Sequence, residues 1–87
     1  MTVQVNRPIR RHRPLFVIAR DVKFNWQKVN YAAQPYLDAM LTLQSLEDNY
    51  FQDSGRDIVL RFLSNATTWR GEKARTIKKE LRKILYK

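Results

Sequence analysis

The sequence predicts a mainly α, three-helix domain preceded by a basic N-terminal arm and a short extended ribbon. Three observations lead there. In the C-terminal stretch Trp69–Lys87, Ala74, Ile77, Leu81, Ile84 and Leu85 recur at steps of one, three and four residues, which lays them along one side of an α-helix. The 87-residue chain has only two Gly and three Pro, too few turn formers for many short strands. Its hydrophobic content of 44% suits a globular domain and is too high for a wholly disordered chain. A chain of this length has room for one core.

Residues 1–14 (MTVQVNRPIRRHRP) read as the arm. Pro8 and Pro14 push the residues before them towards extended conformations, and Arg7, Arg10, Arg11 and Arg13 crowd the segment with positive charge. Residues 15–29 read as an extended ribbon or hairpin. Leu15–Ala19 is a short apolar run with β-branched Val17 and Ile18, and Val22, Phe24 and Trp26 alternate with Lys23 and Asn25 at a period of two. Two such strands are marginal alone in water, so the ribbon must pack on the helices or on a partner.

Residues 30–87 hold the three helices. The first is expected over Asn30–Leu43, with Pro35 in its first turn and Tyr36, Leu37, Met40, Leu41 and Leu43 covering so wide an arc that it should be central. Ser45-Leu46-Glu47-Asp48 has the form of a capping box and predicts a short helical turn. Ser54-Gly55-Arg56-Asp57 is a second such box, opening the second helix, with Ile58, Val59, Phe62, Leu63 and Ala66 towards the core. Asn65 offers a left-handed stop. Thr67 and Thr68 are caps for the third helix, whose regular part is expected from about Gly71, and Trp69 is expected to wedge between the second and third helices.

Charge is distributed unevenly around the formal net of +9. Residues 1–30 carry seven Lys/Arg against Asp21 alone, residues 31–66 carry Arg56 and Arg61 against five carboxylates, and residues 67–87 carry eight Lys/Arg against Glu72 and Glu80. Two basic ends flank an acidic middle. That bias points to a polyanionic partner. On the third helix Arg75, Lys78, Lys79, Arg82 and Lys83 fall opposite the apolar seam. Together with Arg7, Arg10, Arg11 and Arg13 they are the candidate nucleic-acid-binding residues, able to meet several phosphates. The helix lacks the Asn, Gln and Ser that read base edges, so binding of little sequence specificity is expected. The alternative is a protein-binding accessory or inhibitor that docks on a larger complex through Phe16, Phe24 and Trp26, since aromatic and Arg residues anchor interfaces. Homodimerisation through Leu37–Leu43 is a further possibility.

Catalysis finds no support in the residue pattern. No Cys is present, which excludes thiolate metal sites and Cys nucleophiles. His12 is the sole histidine and lies among arginines, where solvation is the default. Asp53 and Asp57, one helical turn apart, are accounted for by capping and the helix dipole. No glycine-rich phosphate loop, H-E-x-x-H, EF-hand or nucleophile elbow occurs. A non-enzyme without cofactor or metal is expected. No apolar run approaches the roughly 20 residues of a membrane span, and Leu15–Ala19 is too short for a signal peptide, so a cytoplasmic protein without membrane contact is expected.

The run IVLRFLSNATTWRGEKARTIKKEL over residues 58–81, preceded by YLDAMLTLQSL, resembles small helical proteins encoded by bacteriophages, plasmids and some bacterial genomes. Phe62–Ala66, Trp69–Glu72 and Ala74-Arg75 carry the likeness, which covers roughly the C-terminal 50 residues and leaves out the arm and ribbon. It brings no activity and no functional residue with it. It implies a shared helical core with an individual N-terminal addition, and a phage-type origin would favour a small modulator of a host complex or a DNA-associated protein.

Overall fold

A computed structural model describes residues 12–86. Four helices and one minimal hairpin follow in the order α1 (Leu15–Asn25), α2 (Gln34–Met40), β1 (Asn49–Tyr50), β2 (Asp53–Ser54), α3 (Gly55–Ser64) and α4 (Glu72–Leu85). Helix α2 packs chiefly on α3, and α1 lies between α2 and α4. The mainly helical class stands, with four helices rather than three.

The expected ribbon over residues 15–29 is corrected: Leu15–Asn25 is a helix. Its buried residues, Leu15, Ile18, Ala19 and Val22, are spaced three, one and three apart, which is one helical face. The alternation Val22, Phe24, Trp26 does not mark one face of a strand, because Phe24 is 80% exposed while Val22 and Trp26 are in the core. No local cap announces this helix. Pro14 precedes it without a side-chain cap, and the orphan N–H groups of Leu15 and Phe16 donate to the carbonyls of Gln44 and Leu43 at 2.9 and 2.8 Å. The helix start is thus capped by a loop some thirty residues away, a partner that local sequence cannot display.

Helix α2 is shorter than expected. Asn30 forms a turn instead, its Oδ1 accepting from Ala32 N at 2.8 Å and its carbonyl accepting from Ala33 and Gln34. Pro35 does sit in the first turn. Leu37, Ala39, Met40 and Leu43 are buried and Tyr36 and Leu41 pack against the core, so the apolar arc offered for dimerisation is largely spent inside the domain. The box at Ser45 forms no helix: Asp48 accepts from Gln44 N and Ser45 N, closing a turn that feeds β1.

Strands β1 and β2 pair antiparallel, Asn49 with Ser54 and Tyr50 with Asp53. Phe51 at the tip has φ 59°, a left-handed conformation uncommon for a bulky side chain, and is 87% exposed against the edge of Tyr50. Ser54 does cap α3, its Oγ accepting from Asp57 N at 3.1 Å. Gly55 opens α3 where the chain crosses the Ser45–Leu46 backbone; a Cβ there would lie 2.6 Å from the Ser45 carbonyl oxygen. Asn65 ends α3 with φ −102°, not in the left-handed region, and its Nδ2 donates to the Arg61 carbonyl at 2.8 Å.

The core gathers Leu15, Ile18 and Val22 of α1, Leu37 and Met40 of α2, Ile58, Val59 and Phe62 of α3, and Ala74, Ile77, Leu81 and Leu85 of α4. No polar or charged side chain is buried in it among the described residues. Trp69 stacks on Trp26 with ring centroids 5.3 Å apart and 7° between planes, and Trp26 meets Phe62 edge-on at 6.3 Å. Trp69 therefore packs on the C-cap residue of α1, which in turn meets α3 through Phe62.

Candidate functional site

Helix α4 begins at Glu72 after Gly71, whose φ of 108° is open to glycine and strained for other residues. Thr67 and Thr68 make no cap for it: the N-cap position is Gly71, with no side-chain hydrogen bond. Because Ala74, Ile77, Leu81 and Leu85 face inward, the helical period turns Arg75, Lys79, Arg82 and Lys83 outward, and all four are exposed. Tyr86, the C-cap residue, continues the stripe four residues after Arg82 and is 69% exposed. From Arg75 to Tyr86 the stripe runs about 16 Å along the helix axis. Among the described residues none of its four cations is ion-paired.

The other predicted basic residues have different surroundings. Lys78 leaves the free face: its Nζ donates to the Trp69 carbonyl at 2.7 Å and ties α4 to the preceding loop. Burial pushes its ammonium below the ordinary lysine value, and Arg82 and Arg70 push it further the same way. Arg13 is also committed. Its Nε and one terminal nitrogen donate to the two Glu80 carboxylate oxygens at 2.9 and 2.7 Å, and the other donates to Asp21 at 3.1 Å. The bidentate bond to Glu80 raises its guanidinium further above its already high value despite the opposing effect of burial. Lys73 stands 3.6 Å from the same Asp21 oxygen. Arg7, Arg10 and Arg11, and most of the proposed arm, lie outside the described residues.

Along α4 the exposed residues border an open groove of about 880 Å³, lined by His12, Thr76, Lys79, Glu80, Arg82, Lys83 and Tyr86. Among the described residues its one carboxylate, Glu80, is already neutralised by Arg13, so three cations face the groove without an opposing free charge from them. His12 is half-buried here rather than solvated, and its Nε2 has no hydrogen-bond partner among the described residues. Tyr86 joins this face at i+4 from Arg82, a spacing legible in the sequence.

The aromatic trio separates. Trp26 is corrected from a partner anchor to a core residue, 8% exposed and sandwiched between Trp69 and Phe62. Phe16 is half-buried under the Arg20 guanidinium, 5.1 Å from its ring centre. Phe24 alone of the three is open. Among the described residues no three His, Asp or Glu side chains converge, and no helix is long and apolar enough to cross a membrane.

No protein-family model, curated protein or solved structure matches the chain.

Proposed function

We propose that the protein is a non-enzymatic nucleic-acid-binding module that uses the outer face of α4 with little sequence specificity. One observation carries the reading: Arg75, Lys79, Arg82 and Lys83 share one exposed helix face and none is ion-paired among the described residues. Four such cations displace counterions from a phosphate backbone, an attraction that depends on charge and not on base identity. Lys78 and Arg13 belong to the scaffold in this reading, because each is held by a protein acceptor.

The test is fluorescence anisotropy with mixed-sequence DNA and RNA over a series of salt concentrations. Four phosphate contacts give a slope of log K against log salt of about −3.6 on duplex DNA and about −2.8 on single strands. The triple charge reversal Lys79→Glu, Arg82→Glu, Lys83→Glu should weaken binding more than about tenfold and flatten the slope, with the circular-dichroism spectrum unchanged. Retained affinity in that variant refutes the assignment of the face. The alternative, docking to a larger protein complex, keeps Phe24 as an exposed anchor on α1; it predicts that Phe24→Ala abolishes partner capture while nucleic-acid affinity is untouched.

A further inference from the structure

The groove on α4 is more than a row of charges, because an aromatic ring stands at its end. Resting on the nucleic-acid reading above, we propose that Tyr86 makes this face selective for single-stranded nucleic acid by stacking an unpaired base. Lys79, Arg82 and Lys83 then hold the adjoining phosphates.

Tyr86 falls on the arc turned away from the apolar seam that ends at Leu85, and it is not part of the core. Tyr86 is the C-cap residue of α4, four positions after Arg82, and lines the same groove as Arg82, Lys83 and Lys79. A volume of about 880 Å³ lies in the range of small-ligand sites and leaves room for a nucleotide beside the helix. The Arg13 clasp on Glu80 matters here, because a free carboxylate in the wall would repel the phosphates.

Combining a positive track with an aromatic platform is how single strands are held without sequence readout. A duplex offers its phosphates to the lysines and arginines but keeps its base faces stacked on one another. The ring therefore adds affinity only for unpaired bases. Among the described residues the lining brings no Asn, Gln or Ser to the groove, which leaves base identity largely unread.

The experiment compares the wild-type chain with Tyr86→Ala and Tyr86→Phe. Labelled oligonucleotides of about 12 nucleotides are used, as single-stranded DNA, single-stranded RNA and the matching DNA duplex. Tyr86→Ala should weaken single-strand binding about tenfold, leave duplex binding within about twofold and keep the single-strand salt slope, while Tyr86→Phe binds as wild type. Equal losses on single and double strands, or no loss on either, overturn the stacking role. In those outcomes the nucleic-acid reading still stands if the α4 charge reversals abolish binding. Wild-type protein that binds none of the three polymers at low salt overturns both.

Discussion

Removing the Arg13 guanidinium should cost the domain more than a surface ion pair usually does. In Arg13→Ala, Glu80 loses two short bonds at once and Asp21 loses its closer cation, keeping only Lys73 at 3.6 Å. Exposed pairs contribute about 0.2–1 kcal/mol and the loss of one partner from a buried pair costs about 3–5 kcal/mol. With side chains 40%, 21% and 25% exposed for Arg13, Asp21 and Glu80, the clasp lies nearer the first limit. We expect a loss of about 1.5 kcal/mol. The entropy of unfolding of an 87-residue domain is about 180 cal/mol/K, so the melting temperature falls by about 8 °C. Thermal unfolding followed by circular dichroism measures this, and a double-mutant cycle with Glu80→Ala isolates the pair, with an expected coupling of about 1 kcal/mol. Raising salt towards 1 M should reduce that coupling, because the pair is partly open to solvent. Additive single variants, or a coupling that salt leaves unchanged, would refute the view that a solvent-screened ion pair joins α1 to α4.

Other outcomes follow from the fold. Gly55→Ala, although it adds a helix former, should destabilise by about 1–3 kcal/mol because its Cβ meets the Ser45 carbonyl oxygen; denaturant titration that shows a gain removes the close crossing. Phe51→Gly should stabilise by about 0.5–1 kcal/mol by relieving the positive φ, a gain read in the denaturation midpoint at constant m. Phe62→Ala should cost about 3–5 kcal/mol, a large share of the roughly 4–13 kcal/mol available to a chain of this length, and weaken the near-ultraviolet dichroism. Lys78 holds its proton less tightly when folded, so below its ordinary value of 10.5 the unfolded chain binds more protons there and stability rises with pH. The stability of wild type relative to Lys78→Met should therefore increase as pH approaches 10.5, and a difference that shrinks over that range contradicts the burial.

How much of this was legible beforehand depended on whether a partner was local. Helix α3 could be read because Ser54 and Asp57 carry their cap within four residues. Helix α4 could be read because Ala74, Ile77, Leu81 and Leu85 mark an unbroken seam, and that seam also placed Arg75, Lys79, Arg82 and Lys83 outside. Helix α1 looks extended in the sequence because its caps are the carbonyls of Leu43 and Gln44, and because Val17, Ile18 and Val22 favour strands until helical packing overrides the preference. The same distance problem hid the roles of Arg13 and Lys78. Each is one more cation in the sequence, and only folding brings it to Glu80 or to the Trp69 carbonyl. Trp26 looks like a free anchor in the sequence for a similar reason, since its two aromatic neighbours are 36 and 43 positions further along the chain.

The two tryptophans of this chain lie face to face, their ring centres 5.3 Å apart. Optically this makes them a coupled chromophore, whose near-ultraviolet dichroism and emission depend on the stack remaining closed. Trp26 follows α1, Phe62 of α3 abuts it, and Lys78 of α4 grips the carbonyl of Trp69. Separation of any of those three helices at this junction would register in one signal without a label. The groove residues Lys79, Lys83 and Tyr86 are not members of that junction, so binding of a visibly labelled oligonucleotide, as proposed, and opening of the domain would be read at separate wavelengths in the same sample.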